Sequence, residues 1–163
     1  MSTDERTQWY IGAPNGVVLC VNSARGEELA GLMFHSYSLE PIPFDNIEQM
    51  TQRMEQLYDW LNFPRRSERK RSFSPDEQAQ GNIQERKRIM SDETLLRKHG
   101  DLGTFIVRVQ HRQNSSWQGR ITWMEQDKTI QFRSVWEMIK LMESAVNSVQ
   151  DEDEEETEQA SWF

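Results

Sequence analysis

Apolar positions along this chain change period in the same order twice. Val17 to Val21 is a continuous, β-branched-rich run, and Leu29 to Leu39 returns as a second apolar stretch after the Gly26-Glu27-Glu28 turn. Ile42 stands between Pro41 and Pro43, which suits a short edge strand, since proline has no donor for a second neighbour. From Asn46 the spacing becomes helical: Ile47, Met50, Met54, Leu57, Tyr58 and Leu61 form one stripe that Pro64 ends. The second run alternates more cleanly. Phe105, Val107 and Val109 alternate with Ile106, Arg108 and Gln110, the period-2 pattern of a half-buried strand. After a turn near Asn114, Trp117, Gly119, Ile121 and Trp123 alternate with Gln118, Arg120 and Thr122. Thr129 to Phe132 reads as a third short strand, and Val135, Met138, Ile139, Met142, Ala145 and Val146 as one side of a closing helix. Upstream, Trp9-Tyr10-Ile11 precedes the turn former Pro14-Asn15-Gly16, so residues 9–12 and 17–22 are expected to form a hairpin.

The two runs superpose at an offset of 88. Sliding residues 17–59 onto 105–147 without gaps aligns Val21 with Val109, Gly31 with Gly119, Ile42 with Ile130 and Phe44 with Phe132. Met50, Met54 and Glu55 fall on Met138, Met142 and Glu143, completing seven identities in 43 positions. Unrelated segments of ordinary composition would give roughly two or three. Helix starts agree as well: Ser134 stands three residues before Glu137, a capping-box spacing, and Asn46 three before Gln49. The pattern predicts an α+β fold of two tandem β-β-β-α repeats. They would form a pseudo-two-fold antiparallel sheet domain, as one sheet system or two packed sheets, with the helices covering one side. A disordered lead is expected over 1–8, a first unit over 9–63, a charged linker over 64–103 with a short helix at 91–98, a second unit over 104–149, and a disordered acidic tail over 150–163 ending in Trp-Phe.

Charge changes this picture mainly at its edges. The net charge of −8 comes chiefly from the tail, because residues 151–158 carry seven acidic groups. Outside the tail, 19 basic groups face 20 acidic ones, so the overall acidity says little about the folded body. Cys20 is the single cysteine, which excludes an intrachain disulfide and favours a reducing, cytoplasmic setting. No stretch reaches the ~20 apolar residues of a membrane span, and Met1 to Thr7 lacks the apolar centre of a signal peptide.

Catalytic constellations are not apparent. His35, His99 and His111 are scattered and none lies near Cys20, so no metal site is expected. No Gly-rich phosphate loop is present, and no cofactor is implied. An enzyme working between the two units would need a site that the spacing does not reveal, and the chain reads as a non-enzyme. Three other features stand out. The run Arg65, Arg66, Arg69, Lys70 and Arg71 would attract phosphate backbones, though such runs are also ordinary solvated linkers. Strand phase puts Arg108, Gln110, Arg112, Arg120 and Thr122 on one outward face, with Trp117 adjacent in sequence but pointing inward by parity. Such a face could hold single-stranded nucleic acid, or be a plain wet sheet face. At the C-terminus, Glu154, Glu155 and Glu156 lead to Trp162 and Phe163, where the aromatics could anchor in an apolar pocket while the carboxylates meet a basic rim.

The acidic run ending in Trp162-Phe163 resembles the acidic tip of bacterial single-stranded-DNA-binding proteins. That resemblance implies docking into partner pockets and covers the tail alone. Residues 105–145, with Arg108-Val109-Gln110-His111-Arg112 and Trp117-Gln118-Gly119 at their centre, resemble short uncharacterised bacterial proteins and bring no activity with them. The sequence therefore points first to a binding or adaptor protein with a protein partner, engaged through the acidic aromatic tail or an apolar sheet face. Nucleic-acid binding by the second unit and the linker, with the tail as internal competitor, is the alternative. No membrane association is expected, and the chain would be a monomer or a homodimer.

Overall fold

The computed structural model of the protein describes residues 15–25, 28–64, 87–113 and 116–161. The strand expected at 9–12, the basic residues Arg65 to Arg71, and Trp162 and Phe163 lie outside them. The elements are β1 (Val17–Arg25), β2 (Glu28–His35), β3 (Ile42–Phe44), α1 (Ile47–Leu61), α2 (Asp92–Leu95), β4 (Gly103–Gln113), β5 (Ser116–Trp123), a 3-10 turn (Met124–Gln126), β6 (Lys128–Phe132) and α3 (Val135–Ser161). The fold is α+β. Its strands form one six-stranded antiparallel sheet in the order β3-β2-β1-β4-β5-β6.

Each hairpin carries one irregularity, and these decide which side chains face the core. The β1–β2 ladder slips between Val21 and Ser23, and the β4–β5 ladder between Val109 and His111. Gly31 lies opposite Val21, and Gly119 opposite Val109. A Cβ at Gly31 would run into the backbone carbonyl oxygen of Cys20, and one at Gly119 into that of Arg108, so the strands approach there only because glycine has no side chain. A bulge inserts one extra residue and reverses inside and outside beyond it. Ala24 accordingly packs against the core, and Arg112 is 2% exposed.

One sheet face is the main core. Val17, Leu19 and Val21 of β1 and Phe105, Val107 and Val109 of β4 cluster with Met50, Met54 and Tyr58 of α1 and Met138, Met142 and Val146 of α3. Fully burying such a side chain is worth about 1.5–3 kcal/mol, which is why the helical stripes dock here despite their polar other faces. The helix starts are built as the sequence predicts. The Gln49 N–H donates to Asn46 Oδ1 at 2.8 Å, and the Glu137 N–H donates to Ser134 Oγ at 3.0 Å. The Gln49 side chain accepts from the Asp45 N–H at 2.9 Å, one residue before the cap.

The opposite face departs from the expectation that helices cover one side only. Val18, Cys20, Phe34 and Ile106 form a second cluster with Met90, Leu95 and Met124. The chain returning from the linker makes this cover: the Ile89 and Met90 N–H groups both donate to the Ser36 carbonyl, and Ser91 caps α2 by accepting from the Thr94 N–H. The helix expected over 91–98 is thus shorter, and β2 ends at His35 rather than Leu39. α3 runs through Ser161, across the segment expected to be a disordered tail, so Glu154, Glu155 and Glu156 lie on its helical backbone.

Candidate partner-binding surface

Two sites emerge from this framework, one closed and one open. The closed site is a polar cluster at the α1 end of the main core. Beyond the β4 bulge, Arg112 pairs with Trp117 across the hairpin and turns inward with it. Arg112 Nε donates to the Pro64 carbonyl at 2.7 Å, and its Nη1 donates to Glu55 Oε1 at 3.2 Å and Asp59 Oδ1 at 2.9 Å. Glu55 and Asp59, four residues apart on α1, present both carboxylates to one guanidinium. Trp117 Nε1 donates to the other Glu55 oxygen at 3.1 Å. Tyr58 lies beneath, with its ring edge-on to Trp117 and the Arg112 guanidinium carbon 5.7 Å from its centroid. Burial pushes the Tyr58 hydroxyl up well beyond its ordinary range, with Arg112 pulling the other way. Arg112 is buried and its Nε and Nη1 are held by α1 and the Pro64 carbonyl, so the cluster clamps α1 onto β4 and β5.

The arrangement corrects the basic outward face. Arg112 leaves it for the core side, and Trp117, inward as its parity predicts, is 4% exposed. Thr122 is buried, its hydroxyl 2.8 Å from that of Thr129 on β6. Arg108 and Arg120 face each other across β4 and β5 on the outer side, where Arg108 is half-buried and Arg120 exposed. The sequence missed the acidic partners of Arg112, because their spacing on α1 is that of an ordinary solvated pair.

The open site lies at the far edge of the sheet. β5, β6 and α3 enclose a half-open apolar hollow of about 210 Å³, lined by Phe105, Ile121, Trp123, Ile130, Leu141 and Ala145, with Lys128 at its rim. Ile130 is 48% exposed although it belongs to a strand. Trp123 Nε1 is buried in the wall and finds no acceptor among the described residues. A buried indole N–H without an acceptor costs about 1–3 kcal/mol. Periodicity identifies each of these residues singly, but their convergence depends on register.

In the first half, His35, Tyr37 and Trp60 form an aromatic cluster. The Tyr37 N–H donates to His35 Nδ1 at 3.0 Å, and the Tyr37 ring meets Trp60 edge-on at 5.7 Å. Burial lowers the basicity of His35. Cys20 sits inside the second core cluster, where burial, with a smaller push from Glu125, raises its thiol to about 12 and leaves it inert. Among the described residues, no three His, Cys, Asp or Glu side chains converge as metal ligands would, and no helix is long and apolar enough to cross a membrane. No protein-family model, curated protein or solved structure matches the chain.

Proposed function

We propose that this chain is a non-enzymatic binding or adaptor protein, and that its docking surface is the hollow between β5, β6 and α3. One observation carries the reading: an apolar hollow with the half-exposed Ile130 opens beside β6, whose outer edge pairs with no other described strand. An extended segment of a partner would add to β6 through its backbone and place an apolar side chain in the hollow. The acidic end of α3, with Glu154 to Glu156 followed by Trp162 and Phe163, supplies a second, charge-guided contact. Nucleic-acid binding is the weaker reading, because Arg112 and Trp117 are committed to the internal cluster with Glu55.

We further infer that the scaffold is a tandem pair of β-β-β-α repeats related by an approximate two-fold axis between β1 and β4. Supporting this, an offset of 88 carries the β2 bounds onto those of β5, the β1 slip onto the β4 slip, and the Asn46 cap onto Ser134.

A pull-down with the full chain, with Ile130→Glu, and with residues 151–163 removed tests the binding reading. Loss of a captured protein in Ile130→Glu supports the hollow as the docking surface, and capture unchanged by Ile130→Glu overturns it; loss only on removing residues 151–163 assigns the contact to the tail instead. A labelled single-stranded oligonucleotide at low salt tests the rival; tight, salt-sensitive binding that Arg120→Glu abolishes would favour nucleic acid instead.

A further inference from the structure

The two edges of the sheet are treated differently. β3 is three residues long and contains Pro43, with Pro41 just before it. Pro43 pairs with Leu32 but has no N–H to give, so that pair lacks ladder hydrogen bonds, and the backbone at 41 and 43 faces away from β2. Prolines facing outward block that edge against further strands. β6 occupies the matching place in the second half, with Gln131 opposite Arg120 as Pro43 is opposite Leu32. The offset of 88 puts Thr129 and Gln131 where the first half has Pro41 and Pro43. By the same register, the N–H and carbonyl groups of Thr129 and Gln131 face outward, with donors present. The hydroxyl contact between Thr122 and Thr129 fits the close side-chain approach of a pair without ladder bonds.

This edge is complementary to itself. We propose that a second copy of this chain docks on it, β6 against β6 in antiparallel register about a two-fold axis at Ile130, to give one sheet continuous across both copies. The inference rests on the reading of this hollow as a docking surface. In that register Thr129 meets Gln131 of the second copy on both sides of the axis, giving about four ladder hydrogen bonds. Ile130 meets its own counterpart on the helix face, closing the mouths of both hollows with apolar surface. Lys128 comes opposite Phe132 of the other copy, two residues before the Ser134 cap. Glu137 stands there in the first turn of α3, on the same helix side as Leu141 and Ser144, which line the hollow. Each copy thus offers one cation and one carboxylate at mutually matching ends, while the two Lys128 side chains stay roughly 13 Å apart along the strands. An interface in which residue i meets j and j meets i is what a two-fold dimer requires.

Sedimentation and light scattering of the full chain across a wide concentration range test this. The expected particle has twice the mass of one chain. Gln131→Pro copies the first half's own edge device at an outward-facing position, so it should leave thermal stability nearly unchanged while weakening the dimer by at least about tenfold. Ile130→Glu should do the same. Lys128→Glu and Glu137→Lys should each weaken the dimer, and the double reversal should restore it. A chain that is monomeric at every concentration overturns the proposal, as does a dimer indifferent to Gln131→Pro and to the charge reversals. If the chain is monomeric but Ile130→Glu still abolishes capture of another protein, the docking surface stands and the second copy falls. If Ile130→Glu changes neither mass nor capture, both fall.

Discussion

Replacing Arg112 with alanine should be among the most damaging single changes to this fold. Arg112 is 2% exposed and holds the Pro64 carbonyl, Glu55 and Asp59 with one guanidinium. Breaking a fully buried ion pair costs about 3–5 kcal/mol, mostly because the abandoned charge stays desolvated. Here the Glu55 and Asp59 side chains are 32% and 50% exposed, so both regain water when the arginine goes, and the upper end of that range does not apply. What is lost outright is the charged donor to the Pro64 carbonyl, worth about 1.5–3 kcal/mol, and the contact of the buried guanidinium with the Tyr58 ring. The sum is about 3 kcal/mol. In a chain of this size each kcal/mol moves Tm by about 2–4 °C, so Arg112→Ala should melt roughly 6–12 °C below the native protein.

Urea unfolding followed by tryptophan fluorescence gives the free energy, provided the slope with denaturant is unchanged. Arg112→Met keeps the stem and should recover about 1 kcal/mol of the loss. A double-mutant cycle pairing Arg112→Met with Asp59→Ala should show a coupling of about 1 kcal/mol, because the two side chains touch. If Arg112→Ala unfolds within about 0.5 kcal/mol of the native protein, the cluster does not clamp α1 and the account of it is wrong.

Other consequences follow from the strand approach and the buried titrating groups. Gly119→Ala, whose Cβ would meet the Arg108 carbonyl oxygen, should destabilise by about 2–3 kcal/mol in the same urea assay, and Gly31→Ala by a similar amount. Cys20 should resist thiol reagents in the native protein and react only on unfolding. With its thiol held near 12 when folded but ordinary when unfolded, only the unfolded chain loses this proton first as pH rises, so stability should fall from about pH 8.5 towards 12 and Cys20→Ala should flatten that slope. His35 works at the other end: its basicity is lowered by burial, so below about pH 6.5 the unfolded chain binds a proton that the folded one refuses. Stability should therefore fall on acidification through that range, and less so in His35→Gln, as read from urea midpoints.

What was legible in the sequence was whatever depends on local period. Alternation in Phe105 to Val109 and Trp117 to Trp123 placed both strands, the helical stripes placed α1 and α3, and Asn46 and Ser134 marked the helix starts. Proline chemistry marked Ile42–Phe44 as an edge. The bulge after Val109 was invisible, because one inserted residue leaves local composition untouched while inverting every later side chain, and Arg112 was misplaced for that reason alone. Met90 and Leu95 are too sparse to announce that they cover a sheet face, yet two hydrogen bonds to the Ser36 carbonyl bring them there. A run of carboxylates near a helix C-terminus opposes the macrodipole, so the extension of α3 to Ser161 runs against its composition. The hollow forms where α3, separated from β6 by only Arg133 and Ser134, folds back over β5 and β6, and local period does not state the angle at which it does so.

Differences between the two halves carry more functional information than their agreement. Where Met50 and Met54 match Met138 and Met142, both serve the same core, and packing alone accounts for the match. Arg112 and Trp117 correspond at the same offset to Ala24 and Leu29, which pack against the core in the first half without any ion pair. The ion pair ties α1 to the second hairpin, which leads on into β6. At the edges the exchange runs the other way, from two prolines to two donors. A rigid hairpin ending in an open edge is the arrangement that strand addition needs, because a floppy edge would lose much of the hydrogen-bond gain to ordering entropy. The buried cluster and the open hollow are therefore linked in a testable way. Arg112→Met, if still folded, should weaken any association through β6 even though Arg112 lies outside the hollow, and association that is indifferent to it would separate the two sites.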